Sequence, residues 1–221
     1  MELLENEYKL LCSYIGYGVV NQPRICFFGN ESGTGGMYID DYIPKFIKDL
    51  EYSVQLKHAL ILPKINDLPV SSVFLQFISR LLLAIEQNDV VWFEILSKID
   101  VVNLNYYILN RFNKENTCVF NLRPLPRPTE RVWPYSTVNK KDYIKSYNFC
   151  LKHPHINRFK QIRMQSLYDG FEQIKNTLII GIGDKENKKK FFEELYECSF
   201  IKINDFYYEK YRKIILSNYL V

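Results

Sequence analysis

The sequence predicts an α/β protein: a three-layer α/β/α sandwich around a central, mostly parallel sheet of about four strands. Three observations predict it. Short apolar runs alternate along the chain with stretches of helical period. Those runs, such as Cys26-Phe-Phe28 and Cys118-Val-Phe120, are apolar without interruption, as strands covered on both faces are. They end at Gly29, Asn121 and Gly183, small or amide residues at which a strand gives way to a loop.

The elements follow in order. Leu3–Ile15 has Leu3, Leu4, Tyr8, Leu11 and Cys12 on one face and reads as a helix that Gly16 and Gly18 break. Arg24–Phe28 reads as a strand. Tyr42–Ala59 reads as a helix with Ile43, Phe46, Ile47 and Leu50 inward and Pro44 in its first turn, where a missing N–H costs nothing. Pro69–Gln87 shows the clearest helical period, carried by Val73, Phe74, Phe77, Ile78, Leu81, Leu82 and Ile85. Val90–Lys98 reads as a short helix, and Ile99–Asn105 as strand or loop. Thr117–Leu122 reads as a strand. The next segment, Arg123–Pro134, carries four prolines and suits neither helix nor central strand. Ile156–Ile174 reads as a helix, Thr177–Ile182 as a buried strand and Asp184–Cys198 as a helix with Lys188, Lys189 and Lys190 on a solvated face. Phe200–Ile203 reads as a last short strand and Tyr208–Tyr219 as a final helix.

Composition bounds the class. A chain of 221 residues suits one domain, taken here as 1–221, and 47% hydrophobic with 24% charged residues suits an ordinary globular protein. The net charge of +4 permits an anionic partner without demanding one. Five scattered cysteines without a Cys-x-x-Cys pair suit reduced thiols and a cytoplasmic location. The longest apolar stretch, around Val70–Ile85, is broken by polar residues, and the acidic N-terminus lacks the basic start of a signal peptide, so no membrane association is expected. No cofactor is expected, and the chain is expected to be a monomer. Cys150-x-x-His153-Pro-His155 brings three metal-ligand types together, but the usual second pair is missing, so no metal site is expected.

Loops after parallel strands converge on one edge of a sheet, where α/β proteins bind ligands. Four such loops are legible: Gly29-Asn-Glu-Ser-Gly33, Asn121 with the Arg/Pro segment, Gly183-Asp184, and Asn204-Asp205. The first is no nucleotide P-loop, since Gly36-Met37-Tyr38 stands where Lys and Ser or Thr should close it. It is also no dinucleotide fingerprint, for want of the Gly-x-Gly-x-x-Gly spacing. Its glycines mark either a tight turn or close approach of a ligand to the backbone. Asn121 could satisfy loose backbone groups or present a donor beside an acceptor to a base edge. Arg123, Arg127 and Arg131 with Trp133 and Tyr135 form either a phosphate clamp with stacking rings or a rigid strap over the sheet.

Three ordered motifs resemble the uracil-DNA glycosylase superfamily. Gly29-Asn-Glu-Ser-Gly33 is similar to its Gly-x-x-Pro-Gly loop after the first strand. Phe120-Asn-Leu-Arg-Pro-Leu-Pro-Arg-Pro128 is similar to its strand-end Asn and Arg-Pro stretch. Leu178-Ile-Ile-Gly-Ile-Gly183 is similar to its late apolar strand. The resemblance implies that Glu31 and Asn30 position or activate a water, and that Asn121 reads a base edge. It further implies that Tyr38 or Tyr42 stacks on a flipped base and that Gly29 and Gly33 allow close approach. Arg123, Arg127 and Ser32 are the candidate phosphate contacts. The partner would be single- or double-stranded DNA or a nucleotide, and the activity a hydrolase of N-glycosidic bonds in DNA repair. Ser32 stands where the family often has proline. Ile203-Asn-Asp-Phe-Tyr207 stands where a His-Pro-Ser-type motif follows the last strand. The alternative is therefore a non-catalytic nucleic-acid or nucleotide binder of the same fold.

Overall fold

The computed structural model describes residues 1–18, 23–34, 38–55, 73–86, 117–129, 131–152, 157–203, 206–210 and 213–217. These form α1 (Glu5–Ser13), β1 (Gly16–Gly18), β2 (Ile25–Gly29), α2 (Ile39–Gln55), α3 (Val73–Glu86), β3 (Thr117–Asn121), α4 (Lys140–Ser146), α5 (Arg158–Gln173), β4 (Leu178–Ile182), α6 (Lys185–Tyr196), β5 (Phe200–Ile203), β6 (Phe206–Glu209) and β7 (Ile214–Ser217). The class is α/β, as the alternation predicts.

The sheet corrects the expectation of about four strands. Among the described residues it has seven, in the order β1-β3-β2-β4-β7-β6-β5. The strands β3, β2, β4 and β7 run parallel, while β1 at one edge and β6 beside β7 run antiparallel to them. β5 closes the far edge, antiparallel to β6.

The largest correction lies at the C-terminal end. The stretch 208–219 reads as a helix, but Phe206–Glu209 and Ile214–Ser217 are strands. Tyr, Phe and Ile fit a pleated, half-buried surface, and β7 inserts its buried Ile214 and Leu216 next to β4. The fourth parallel strand is therefore β7. β5 points the same way but lies four strand positions from β2, roughly 19 Å at the usual interstrand spacing. Asn204 and Asp205 lie outside the described residues.

Helices cover both faces of the sheet. Cys26, Phe28, Cys118, Phe120 and Ile179 pack with Leu167 and Phe171 of α5 and Phe191 and Phe192 of α6. Phe27, Val119 and Ile182 point the other way, onto Ile78 and Leu82 of α3. Successive residues of one strand thus enter opposite layers, which is why these runs carry no polar alternation. A further cluster joins α1, α2 and α4 through Leu11, Ile43, Phe46, Leu125 and Tyr143.

Other boundaries shift for local reasons. α2 begins at Ile39, with Asp40 and Asp41 in its first turn where the helix dipole favours acid, so Pro44 falls beyond that turn. α4 has no counterpart in the sequence reading; Asn139 caps it by accepting from the Asp142 N–H at 3.1 Å. Gly16–Gly18 is not merely a break but strand β1. A Cβ on Gly16 would lie 1.8 Å from the Val119 carbonyl oxygen, so only glycine fits there. The expectations for Val90–Lys98 and Ile99–Asn105 lie outside the described residues. Among the described residues, no helix is long and apolar enough to cross a membrane.

Candidate functional site

β2 neighbours both β3 and β4, and the strand order reverses between β2 and β4, the place beyond the strand ends where open α/β sheets bind ligands. The backbone builds the rim there first. Past the end of β3 the chain keeps running beside the loop after β2: the Leu122 N–H donates to the Gly29 carbonyl at 3.1 Å, Arg123 to Asn30 at 2.6 Å and Arg127 to Ser32 at 3.0 Å. Gly33 pairs with Arg127 as an isolated parallel bridge. Among the described residues the glycines in the left-handed region are Gly18 and Gly183, so Gly33 is not required by its φ angle; Gly35 and Gly36 lie outside the described residues. The prolines hold this segment extended, and the Tyr143 hydroxyl accepts from the Leu125 N–H at 3.1 Å, tying it down as a strap.

Glu31 and Asn121 reach the same rim. The Asn121 side-chain amide donates to the Ser32 hydroxyl at 2.9 Å, next door to Glu31. Asn121 is only 5% exposed and crosses above Gly29, where a Cβ would lie 2.8 Å from its Oδ1. Gly29 therefore leaves room for an amide of the protein itself.

Four charges alternate along the rim. Arg127 hydrogen-bonds Glu31 Oε1. Arg123 Nη1 stands 3.8 Å from Glu31 Oε2, and its Nη2 stands 3.6 Å from Asp184 Oδ2. The Arg127 and Glu31 side chains are 3% and 9% exposed, so this is an interior ion pair rather than a solvated one. The Arg127 guanidinium also lies 5.9 Å from the Trp133 ring, whose N–H donates to the Val138 carbonyl at 2.8 Å.

Beneath these charges lies Lys188, which corrects the reading of a solvated lysine face. Lys188 is fully buried, while Lys190 is exposed and pairs with Glu193. The Lys188 ammonium donates to Asn30 Oδ1, to the Ile182 carbonyl at 2.9 Å and to the Gly183 carbonyl. It thereby ties the loop after β2 to the end of β4. Burial pushes its pKa down to about 7, with Asp184 opposing the shift and Arg123 adding to it. The signal was present in the spacing: Lys188 precedes Phe191 by three residues and Phe192 by four, so all three share the inner face of α6.

Arg163 was also overlooked. It is buried on α5, four residues after Phe159 and four before Leu167, on the inward stripe. Its guanidinium donates to the carbonyls of Leu122 at 3.2 Å and Cys12 at 3.4 Å, and to those of Asn121 and Tyr14. It thus holds the end of β3, where Asn121 sits, against the end of α1.

The remaining candidates are less engaged with the rim charges. Tyr38 is 83% exposed at the start of α2. Tyr42 is half-buried, stacks on Phe46 at 5.3 Å, and burial pushes its hydroxyl up to about 12, Asp49 adding to the shift. Arg131 and Cys150 are exposed; His153 and His155 lie outside the described residues.

The site thus defines a class: an α/β protein with an alternating charge cluster at the switch point of its parallel strands. No family model, curated protein or solved structure matches the chain.

Proposed function

We propose that this chain recognises a base-bearing ligand, DNA or a nucleotide, at the rim formed by the loops after β2, β3 and β4. The observation that carries the reading is the convergence of Glu31 with Asn121 and Arg123, from two segments about ninety residues apart in sequence, with the Asn121–Ser32 bond at 2.9 Å joining them. The order of the motifs that resemble the uracil-DNA glycosylases supports the same partner. Binding is the part of the reading this geometry supports best, because Arg123 stands within ion-pair range of Glu31 and Asp184 yet is hydrogen-bonded to neither, which leaves its N–H groups to a ligand.

Hydrolysis of an N-glycosidic bond is a second reading, favoured by one feature: Glu31 Oε2 is buried without a hydrogen-bond donor among the described residues and would orient a water. Two measurements test the pair of readings. Fluorescence anisotropy with labelled single-stranded and duplex oligonucleotides should show binding that weakens as salt rises. Release of uracil from the same oligonucleotides, compared between wild type and Glu31→Gln, tests hydrolysis. Equal release by both, or none by either, removes the enzymatic reading. Absence of binding at low salt removes the primary one.

A further inference from the structure

We propose that Arg123 and Glu31 together read the hydrogen-bonding edge of a nucleobase, as a donor and an acceptor side by side. The inference rests on the function proposed above and names the residues that would supply its specificity.

The neighbouring polar groups are already engaged. Arg127 is bonded to Glu31 Oε1, the Asn121 amide to Ser32, and Asn30 Oδ1 to Lys188, which also holds two carbonyls. Arg123 differs. Its terminal nitrogens stand 3.8 Å from Glu31 and 3.6 Å from Asp184, within ion-pair range of both and hydrogen-bonded to neither. Its Nε is buried without an acceptor among the described residues. Facing it, the Glu31 side chain is 9% exposed and its Oε2 lacks a donor.

A guanidinium with idle N–H groups beside a carboxylate oxygen with an idle lone pair is unfavourable in a buried setting, because each has left water without a replacement bond. The group that satisfies both must bring an acceptor to Arg123 and a donor to Glu31. A phosphate at neutral pH brings acceptors only, and here it would also enter between two carboxylates. A nucleobase edge brings an N–H beside a carbonyl oxygen or ring nitrogen. Such an edge can lie across Arg123 and Glu31, which stand 3.8 Å apart, without breaking a hydrogen bond, since none joins them. Glu31 follows β2 and Asp184 follows β4, the two strands between which the strand order reverses, and Arg123 from the loop after β3 reaches both carboxylates, so the pair borders the switch point of the sheet.

The test uses the full chain, wild type and the variants Arg123→Lys and Arg123→Met. The probes are labelled single-stranded oligonucleotides of one sequence that differ only at a central uracil, guanine, adenine or cytosine, titrated at several salt concentrations. Wild type is expected to prefer one central base. Both variants are expected to lose that preference, with a fall of about tenfold to a hundredfold on the favoured probe and an unchanged salt slope. Lysine keeps the charge but lacks the planar fork, so it separates edge reading from simple attraction. Uniform weakening across all probes, with the salt slope reduced by about one in Arg123→Met and retained in Arg123→Lys, makes Arg123 a phosphate contact and overturns the inference while leaving the proposed function standing. Unchanged preference in both variants overturns it likewise. Failure of wild type to bind any probe at low salt overturns the function and this inference together.

Discussion

Replacing Lys188 by methionine should change how stability depends on pH. The side chain is fully buried, and burial takes its pKa from 10.5 to about 7. Between those values the unfolded chain binds a proton at this lysine that the folded chain does not, so the lysine makes folding more favourable as pH rises. One pH unit in that range corresponds to about 1.4 kcal/mol, less close to pH 7 where the folded lysine is half protonated. From pH 7 to pH 9 the wild type should gain about 2 kcal/mol on Lys188→Met, or about 4–8 °C in melting temperature for a chain of this size. The comparison stops at pH 9 because burial raises the hydroxyl pKa values of Tyr14, Tyr17, Tyr143 and Tyr147, which makes folding less favourable above about pH 10. Subtracting the variant removes what remains of that background. Urea titrations of both proteins at pH 7, 8 and 9 give the difference directly. Parallel stability curves would refute the reasoning. They would mean that the three acceptors around Nζ keep the ammonium charged in the folded chain despite its burial.

Two further outcomes follow from the same cluster. Arg127→Met strips a buried carboxylate of its hydrogen-bonded partner and should destabilise by about 3 kcal/mol in urea titration, whereas Arg123→Met breaks no hydrogen bond and should cost about 1 kcal/mol or less. Equal losses would contradict the difference drawn between the two arginines. Arg163→Met leaves four backbone carbonyls without their donor and should destabilise by roughly 3 kcal/mol or more, with faster amide exchange at the end of β3. A variant as stable as wild type would show that water replaces the guanidinium there.

The strands that were legible are those whose residues carry the signal alone. Cys26–Phe28, Cys118–Phe120 and Ile179–Ile182 are apolar on both faces because helices cover both, and no neighbour is needed to recognise them. Phe206–Glu209 and Ile214–Ser217 were not legible. In isolation Tyr-Tyr-Glu-Lys-Tyr and Ile-Ile-Leu fit either period, and pairing of β7 with β4 and of β6 with β7 decides between them. Lys188 and Arg163 show the same limit at the site. A lysine and an arginine on amphipathic helices read as solvated until the acceptors that make their burial tolerable come from other segments: Asn30 and Ile182 for one, Tyr14 and Asn121 for the other.

By itself the amino-acid order determined the α/β class, the three strand ends that carry Gly29, Asn121 and Gly183, and the proline-stiffened run after Asn121, because each follows from local period and backbone restriction. The fold alone decided which charges meet. Glu31, Arg123, Arg127, Asp184 and Lys188 are drawn from three segments, and ion pairing in a buried setting depends on distances of a few ångströms that only the stacking of β3, β2 and β4 sets.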